Sequence, residues 1–313
     1  MPSGFIYADT SIWNRLCKQN VEPAALTSVL RAQNAVLVLG ESVLTELARA
    51  FESQKPLVRS HASQLFSYMQ GYLQMGILVS KPNWALLIEE ALYITGDGPT
   101  PSPFVDEYPP LLKRVNQLAT GGSDTDVQDF TQGRKRIAEN DRFGLGLFVR
   151  NHPALSNEMR HVTRAYLARW IRQQTTKPRG VFILAAYLGC QFPKNSPNEL
   201  HWAAERLLLE RRYRVSRALT SDALYFQWRG ANFGSVPKDF SEDTYHVVNS
   251  SYCDFFVTED AGQATHAPYS SNQCRPLLYD ADDTLLEWLP GSIAAERQSF
   301  ESNFIHTDST PSS

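Results

Sequence analysis

The sequence has few cysteines and no long apolar run. Its four cysteines lie far apart without a CxxC pair, which argues against a zinc site and against a disulfide framework. No stretch approaches the roughly 20 apolar residues of a membrane span, and no signal sequence precedes the first predicted strand. We therefore expect a cytoplasmic protein that does not associate with membranes and whose cysteines are reduced and mostly buried.

Two common phosphate-binding motifs are also absent. There is no GxxxxGK[ST] sequence, which argues against a P-loop enzyme, and no GxGxxG sequence after the first strand. A phosphatase with an aspartate nucleophile would also begin with a strand that ends in Asp. Such an enzyme usually has a second Asp two residues later, where this chain has Ser11. A metal-dependent phosphatase is therefore kept only as an alternative.

Charge is divided unevenly along the 313 residues. Residues 134–217 contain 17 Lys and Arg and six acidic residues, which gives this region a net charge of +11. Because the net charge of the full sequence is −3, the other residues together carry −14. Such a basic region favours contact with a polyanion. The candidate nucleic-acid-binding residues are six arginines on predicted helices: Arg160, Arg164, Arg172, Arg211, Arg212 and Arg214. Alternatively, their apolar stems cover helix surfaces.

The hydrophobic pattern predicts an α/β protein interrupted by a basic helical insertion. Strands are predicted at Phe5–Ala8, Ala35–Leu39, Phe255–Thr258 and Pro276–Tyr279. Helices are predicted at Ile12–Cys17, Val43–Phe51 with Ser42 as N-cap, 61–79, Trp84–Ile94, Glu199–Arg217, Glu242–Tyr252 with Ser241 as N-cap, and Asp282–Leu289. The region from Gly96 to Phe130 is predicted to be a loop.

This pattern divides the chain into four parts. Residues 1–95 form the N-terminal part of the α/β domain, with extra helices, and residues 96–235 form the basic helical insertion. Residues 236–290 return to the α/β domain, and residues 291–313 are predicted to be a frayed polar tail.

Four acidic residues lie near the ends of predicted strands or in the helices that follow: Asp9, Glu46, Asp243 and Asp260. If the strands are parallel, these side chains converge where the carboxyl ends of the strands open onto a crevice. Two carboxylates about 4 Å apart repel by roughly 1 kcal/mol in water and about 4 kcal/mol at an effective dielectric constant near 20, which favours a bound cation. Carboxylate oxygens suit Mg²⁺ or Mn²⁺.

The hydroxyl groups beside these acids are candidates for orienting the carboxylates or a bound water: Thr10, Ser11 and Thr258. Asp9, Glu46 and Asp243 also have a simpler interpretation, because Asp and Glu stabilise any helix N-terminus. Asp260 has one as well, as a turn residue ahead of Gly262. Glu41 competes with Glu46 for its role, and Glu242 competes with Asp243. His246 is expected to be a packed or hydrogen-bonded core residue.

A metal held by carboxylates supports hydrolysis of a phosphodiester bond, because it activates water and neutralises charge on the phosphate. No nucleophilic side chain is required. The sequence therefore predicts catalytic and metal-binding roles for Asp9, Glu46, Asp243 and Asp260.

Several segments together resemble the PIN domain. They are Asp9-Thr10-Ser11, Glu46-Leu47, Asp243 to His246, Cys253 to Asp260, and Pro276-Leu277-Leu278-Tyr279 to Leu289. The resemblance covers about 4–55 and 236–290, and residues 56–235 have no counterpart in the family. It implies a Rossmann-like three-layer α/β fold with a central parallel sheet and a nuclease that depends on Mg²⁺ or Mn²⁺.

The resemblance also implies partners. Proteins of this family are most often endoribonucleases, and in bacteria they are often toxins paired with an antitoxin; small members often form homodimers. A non-catalytic PIN-like module that binds RNA or protein is the main alternative.

Overall fold

The computed structural model describes residues 4–105, 109–120, 153–233, 240–270 and 274–307. The strands in these ranges are β1 (Gly4–Ala8), β2 (Ala35–Leu39), β3 (Leu78–Ser80), β4 (Phe104–Val105), β5 (Phe255–Thr258) and β6 (Arg275–Leu278). They form one sheet in the order β4-β3-β2-β1-β5-β6. All neighbouring strands are parallel except β3 and β4. The prediction of an α/β fold is therefore confirmed, and the predicted parallel sheet is parallel except at its β4 edge.

Helices connect and extend this sheet. In the described ranges they are α1 (Thr10–Lys18), α2 (Pro23–Ala32), α3 (Glu41–Ala48), α4 (Pro56–Gln74), α5 (Asn83–Thr95), α6 (Pro109–Ala119), α7 (Pro153–Arg160), α8 (Arg164–Thr175), α9 (Pro178–Gln191), α10 (Pro197–Leu209), α11 (Arg214–Phe233), α12 (Phe240–Asn249), α13 (Ala261–Ser270) and α14 (Leu285–Thr307). Short 3₁₀ turns follow α3 at Arg49–Glu52 and α12 at Ser250–Tyr252.

The main hydrophobic core surrounds the central strands. Residues of β1, β2 and β5 are almost fully buried, as expected for parallel strands covered on both faces. Two further clusters lie among the helices between β3 and β5, one built around α5, α9, α10 and α11 and the other around α7, α8, α9 and α11. The helical region therefore has cores of its own.

The predicted loop between Gly96 and Phe130 is wrong at two places. β4 pairs with β3 through Val79 and Val105, and α6 packs against α4 while burying Val115 and Leu118. α6 begins with Pro109 and Pro110, and proline is tolerated in the first turn of a helix. Residues 121–130 lie outside the described ranges.

Helix ends differ from the predictions where glycine or distant contacts decide them. α4 ends at Gln74 because Gly76 adopts a φ of 74°, and the chain then enters β3 instead of continuing as a helix to residue 79. Gly40, not Ser42, precedes α3 at the N-cap position. The predicted tail is helical up to Thr307, and Ile293 anchors that helix in the core.

The predicted helix Glu199–Arg217 is two helices, α10 and α11, because a buried carboxylate holds the start of the second. Glu90 of α5 is fully buried, and it accepts hydrogen bonds from the backbone N–H groups of Val215 at 3.0 Å and Ser216 at 2.9 Å. The Ser216 hydroxyl donates to it at 2.5 Å and the Tyr252 hydroxyl at 2.6 Å. Glu90 therefore caps α11 from another helix and links it to the segment that leads into β5.

The cap that Glu90 provides is expected to stabilise the folded protein. Glu90→Ala leaves two backbone donors and the Ser216 hydroxyl buried without their acceptor, and it should lower the free energy of unfolding by about 2–4 kcal/mol. Urea denaturation followed by circular dichroism measures the change. Glu205→Ala, an exposed glutamate on α10, is the matched control and should leave stability nearly unchanged. Equal and small effects of both substitutions would contradict the role of Glu90.

Candidate functional site

Asp9 lies at the point where the strand order of the sheet changes direction. The chain proceeds from β1 to β2 and β3 on one side and places β5 and β6 on the other side of β1. Asp9 follows β1 directly, and its backbone N–H donates to the carbonyl oxygen of Val257 in β5 at 3.1 Å. Ligands of open α/β sheets bind in the crevice at the carboxyl ends of the strands at such a switch point. We call this region the aspartate mouth, defined by Asp9, Glu46 and Asp260.

The carboxylate of Asp9 is buried, with 2% of the residue exposed, and held by three donors. Its Oδ1 accepts from the Ser11 hydroxyl at 2.6 Å and from the Ile12 backbone N–H at 3.0 Å. Its Oδ2 accepts from the Thr258 hydroxyl at 2.6 Å. Burial raises the pKa of Asp9 above its ordinary value, although these donors and the charge of His246 oppose the rise. Two predicted orienting residues, Ser11 and Thr258, therefore contact Asp9.

Asp260 lies at the same mouth but is exposed, as the residue before α13. Its Oδ1 accepts from the backbone N–H groups of Gly262 at 2.5 Å and Gln263 at 3.0 Å, so it caps that helix. Its own backbone N–H donates to Oγ1 of Thr258 at 2.9 Å. Thr258 thus connects the carboxylate of Asp9 to the backbone of Asp260.

Glu46 reaches the mouth from α3 and is held by two groups. Its Oε2 accepts from the Thr10 hydroxyl at 2.5 Å and from Nε2 of His246 at 2.9 Å. The side chain is 43% exposed, which leaves it accessible to solvent and to a ligand. Partial burial opposes ionisation, but the bonds and charge of His246 and the Thr10 bond outweigh it, so the pKa of Glu46 is lowered. The third predicted orienting residue, Thr10, therefore contacts Glu46.

His246 is buried beneath Glu46, with 1% of the residue exposed. Its Nε2 lies 2.9 Å from Oε2 of Glu46, and its Nδ1 lies 3.0 Å from the Tyr7 hydroxyl oxygen, so both ring nitrogens are hydrogen-bonded. The sequence prediction of a hydrogen-bonded core histidine is confirmed.

The hydrogen-bond chain continues away from the mouth. Ser42 bonds to Tyr7, and the side-chain amide of Asn249 donates to Ser42. Burial, reinforced by the negative charge of Asp9 among others, raises the pKa of Tyr7 well above its usual value, so the phenol stays protonated. A Cβ at residue 40 would lie 2.5 Å from the Tyr7 ring, so Gly40 permits this close packing. These hydrogen bonds were not predicted from the sequence, because Tyr7, Ser42 and Asn249 are uncharged and lie far apart along the polypeptide.

The remaining acidic candidates are less well defined. Asp243 belongs to α12, but its side chain, like that of Glu242, lies outside the described residues. Glu41 is the first residue of α3. Within the described part of the chain, no group of three or more His, Cys, Asp or Glu residues is arranged to hold a metal ion. Asp9, Glu46 and Asp260 are thus brought to one mouth without forming a closed set of ligands.

The six candidate arginines fall into two groups. Arg160, Arg164 and Arg172 are exposed on or beside α7 and α8, and Arg160 is engaged with the carbonyl oxygen of Ala231 at 3.0 Å. The others lie at or just before the start of α11: Arg211, Arg212 and Arg214. They line a cleft with the first residues of the strands and are therefore at the opposite end of the sheet from Asp9.

Comparisons of this chain with family models, with curated proteins and with solved structures find no match. In the described ranges, none of the helices combines the length and the apolar character needed to cross a membrane.

The opposite pKa shifts at the mouth predict a pH-dependent difference in stability. The folded state binds a proton at Asp9 more readily than the unfolded state, so this residue should lower the free energy of unfolding as pH rises from 3.8 through its raised pKa. Asp9→Asn removes that contribution, and the variant should gain stability relative to wild type over this range, by about 1.4 kcal/mol per pH unit of the shift. Glu46 acts in the opposite sense, because its stabilisation is lost as pH falls below 4.5.

Urea denaturation in metal-free buffer across this pH range measures the difference. Asp282→Asn removes an exposed carboxylate near the start of α14 and is the control. A constant difference between Asp9→Asn and wild type at every pH would contradict the raised pKa.

Proposed function

We propose that this protein is a metal-dependent nuclease with a PIN-like domain, acting on RNA through the aspartate mouth. One observation supports this most strongly. The buried carboxylate of Asp9 lies at the strand-order switch point, and Thr258 ties it to the segment carrying Asp260. A carboxylate kept at such a position against the cost of burial is typical of a functional site.

The donor set fits Mg²⁺ or Mn²⁺. Mg²⁺ is commonly held by one or two carboxylates together with waters and phosphate oxygens of the substrate, so a closed protein cage is not required. Asp9 and Glu46 are the residues that would hold the ion, with Asp260 beside them, and Asp243 stays a proposed fourth member. The pKa of Asp9 is raised by burial, and a cation beside it would stabilise its charged form.

The side chains around these acids fix their orientation. Ser11 and Thr258 donate to the two oxygens of Asp9. Thr10 and His246 both bond to Oε2 of Glu46, so the other oxygen, Oε1, is not engaged by either of them. A bound metal would supply an activated water and neutralise charge on the scissile phosphate. The protein would provide the orientation through hydrogen bonds set before substrate arrives.

The basic helices provide a way to hold the substrate backbone. α8 packs against α13, the helix that begins directly after Asp260, and it carries exposed Arg164 and Arg172. Contacts from these arginines to phosphates would position a strand without reading its bases. RNA as the substrate, an antitoxin or other inhibitor as partner, and a homodimer follow from the PIN resemblance.

A second candidate is a non-catalytic module that binds RNA or protein. It is favoured by the capping roles of two acids, because Asp9 accepts from the Ile12 backbone and Asp260 accepts from the Gly262 and Gln263 backbones. These bonds are sufficient to account for both residues without a metal.

Cleavage assays separate the two candidates. Purified protein should cut labelled single-stranded RNA with Mn²⁺ or Mg²⁺ and lose the activity in EDTA. Asp9→Asn keeps the size of the side chain but weakens metal binding, and it should lower the cleavage rate by at least about 100-fold, as expected when a metal-dependent step is lost. Asp260→Asn should also reduce cleavage.

Thermal denaturation of both variants controls for folding. Asp282→Asn is the matched control and should retain full activity. Metal-dependent cleavage that is unchanged in Asp9→Asn would refute the assignment. Duplex RNA and single-stranded DNA, tested in parallel, define the class of substrate.

A further inference from the structure

A large cleft lies at the end of the sheet opposite the aspartate mouth. Its volume is about 1050 Å³, and its walls include the first or second residue of three neighbouring strands, Phe5, Val36 and Leu78. Four arginines also line it: Arg31, Arg211, Arg212 and Arg214. We call it the arginine cleft. Small-molecule sites have volumes of roughly 300–1,000 Å³, so this cleft admits a ligand of that size or a short segment of a strand.

Positive charge dominates the cleft. Among the lining residues that the structure describes, Asp254 is the only acid, and its Oδ2 already accepts from the Phe5 backbone N–H at 2.8 Å. Arg211 is exposed, and no hydrogen-bond or ion-pair partner is found for it in the described part of the chain. A guanidinium of this kind offers a fork of N–H donors that matches the oxygens of a phosphate.

The other arginines of the cleft are held in place by neighbouring groups. Arg212 forms an ion pair with Glu210 at 2.8 Å, and its guanidinium lies 5.0 Å from the centre of the Tyr213 ring. Arg214 donates to the carbonyl oxygen of Tyr252 at 3.3 Å. These contacts hold the side chains of Arg212 and Arg214 in place beside Arg211. Less side-chain conformational entropy is therefore lost when a ligand binds to them.

Another part of the lining, the apolar wall, is aliphatic and aromatic. The rings of Phe5 and Phe104 lie 4.4 Å apart between centroids, and Leu78, Val36 and Pro103 extend the same surface. A small inorganic anion would leave this wall without a contact. A ligand with a flat apolar body and an anionic group would use both sides of the cleft, because aromatic side chains stack on bases while arginines bind phosphate.

From these features we propose that the arginine cleft binds a nucleotide, with its phosphate on Arg211 and Arg212 and its base against Phe104. The nucleotide can be free or part of an RNA strand, since both present the same phosphate and base. The cleft lies at the other end of β1 from Asp9, about 13 Å away along the strand from Phe5. Binding there needs neither the metal nor the carboxylates, so this proposal does not depend on the proposed nuclease activity.

Binding is measured in EDTA by isothermal titration calorimetry with adenosine 5′-monophosphate, inorganic phosphate and a six-nucleotide single-stranded RNA. The double variant Arg211→Gln/Arg212→Gln should weaken binding of the nucleotide by at least about tenfold, as expected for lost charge-assisted hydrogen bonds. Arg206→Gln is the matched control, an exposed arginine on the preceding helix α10 that does not line the cleft, and it should bind as wild type does.

Phe104→Leu tests the aromatic wall, because it removes a ring but no charge. It should weaken binding of adenosine 5′-monophosphate and leave binding of inorganic phosphate unchanged. Circular dichroism melting of each variant confirms that it is folded. Asp9→Asn, which disables the proposed nuclease, should bind the nucleotide as wild type does, so the two proposals can fail separately.

The outcomes are distinct. Preferential binding of the mononucleotide would indicate a free nucleotide as the ligand, and preferential binding of the oligomer would indicate an RNA strand; both support the proposal. The absence of saturable binding, equal weakening by Arg206→Gln, or nucleotide affinity no higher than phosphate affinity would overturn it.

Discussion

Parallel pairing of β1 with β5 is the constraint on which the sheet and the aspartate mouth both depend. It joins Ile6 to Phe255 and Ala8 to Val257, residues from opposite ends of the chain. The pairing places Thr258 beside Asp9, so that one hydroxyl serves both strand ends. Without this pairing, Asp9 would be a buried carboxylate lacking one of its three donors, and its burial would be costly.

The helical region is attached to this sheet through polar contacts as well as hydrophobic packing. Glu90 binds the start of α11 and the hydroxyl of Tyr252, three residues before β5 begins. The same region supplies the arginines of the arginine cleft. The helices between β4 and β5 therefore help to shape the surface around the amino ends of the strands. One of them, α8, also packs against α13 near the carboxyl ends.

Local patterns predicted the strands of this site well but not its long-range polar contacts. β1 and β5 are short apolar runs that end near an Asp, and the structure places Asp9 and Asp260 at the carboxyl ends as predicted. The break between α10 and α11 could not be read from a continuous helical pattern, because the cap comes from Glu90, more than 120 residues earlier. β3 and β4 were not predicted for a similar reason, since they are only three and two residues long and depend on pairing with neighbouring strands. α2 was not predicted either.

The separation of β1 from β5 also affects how the chain is made. β1, β2 and β3 are complete within the first 80 residues and can associate early, but one side of β1 stays unpaired until β5 has been synthesised near residue 258. Pairing across such a sequence distance is slow, and an exposed strand flank invites association with other chains. The growing polypeptide therefore carries an open β1 flank until about residue 258 has been added, and the aspartate mouth forms only after that point.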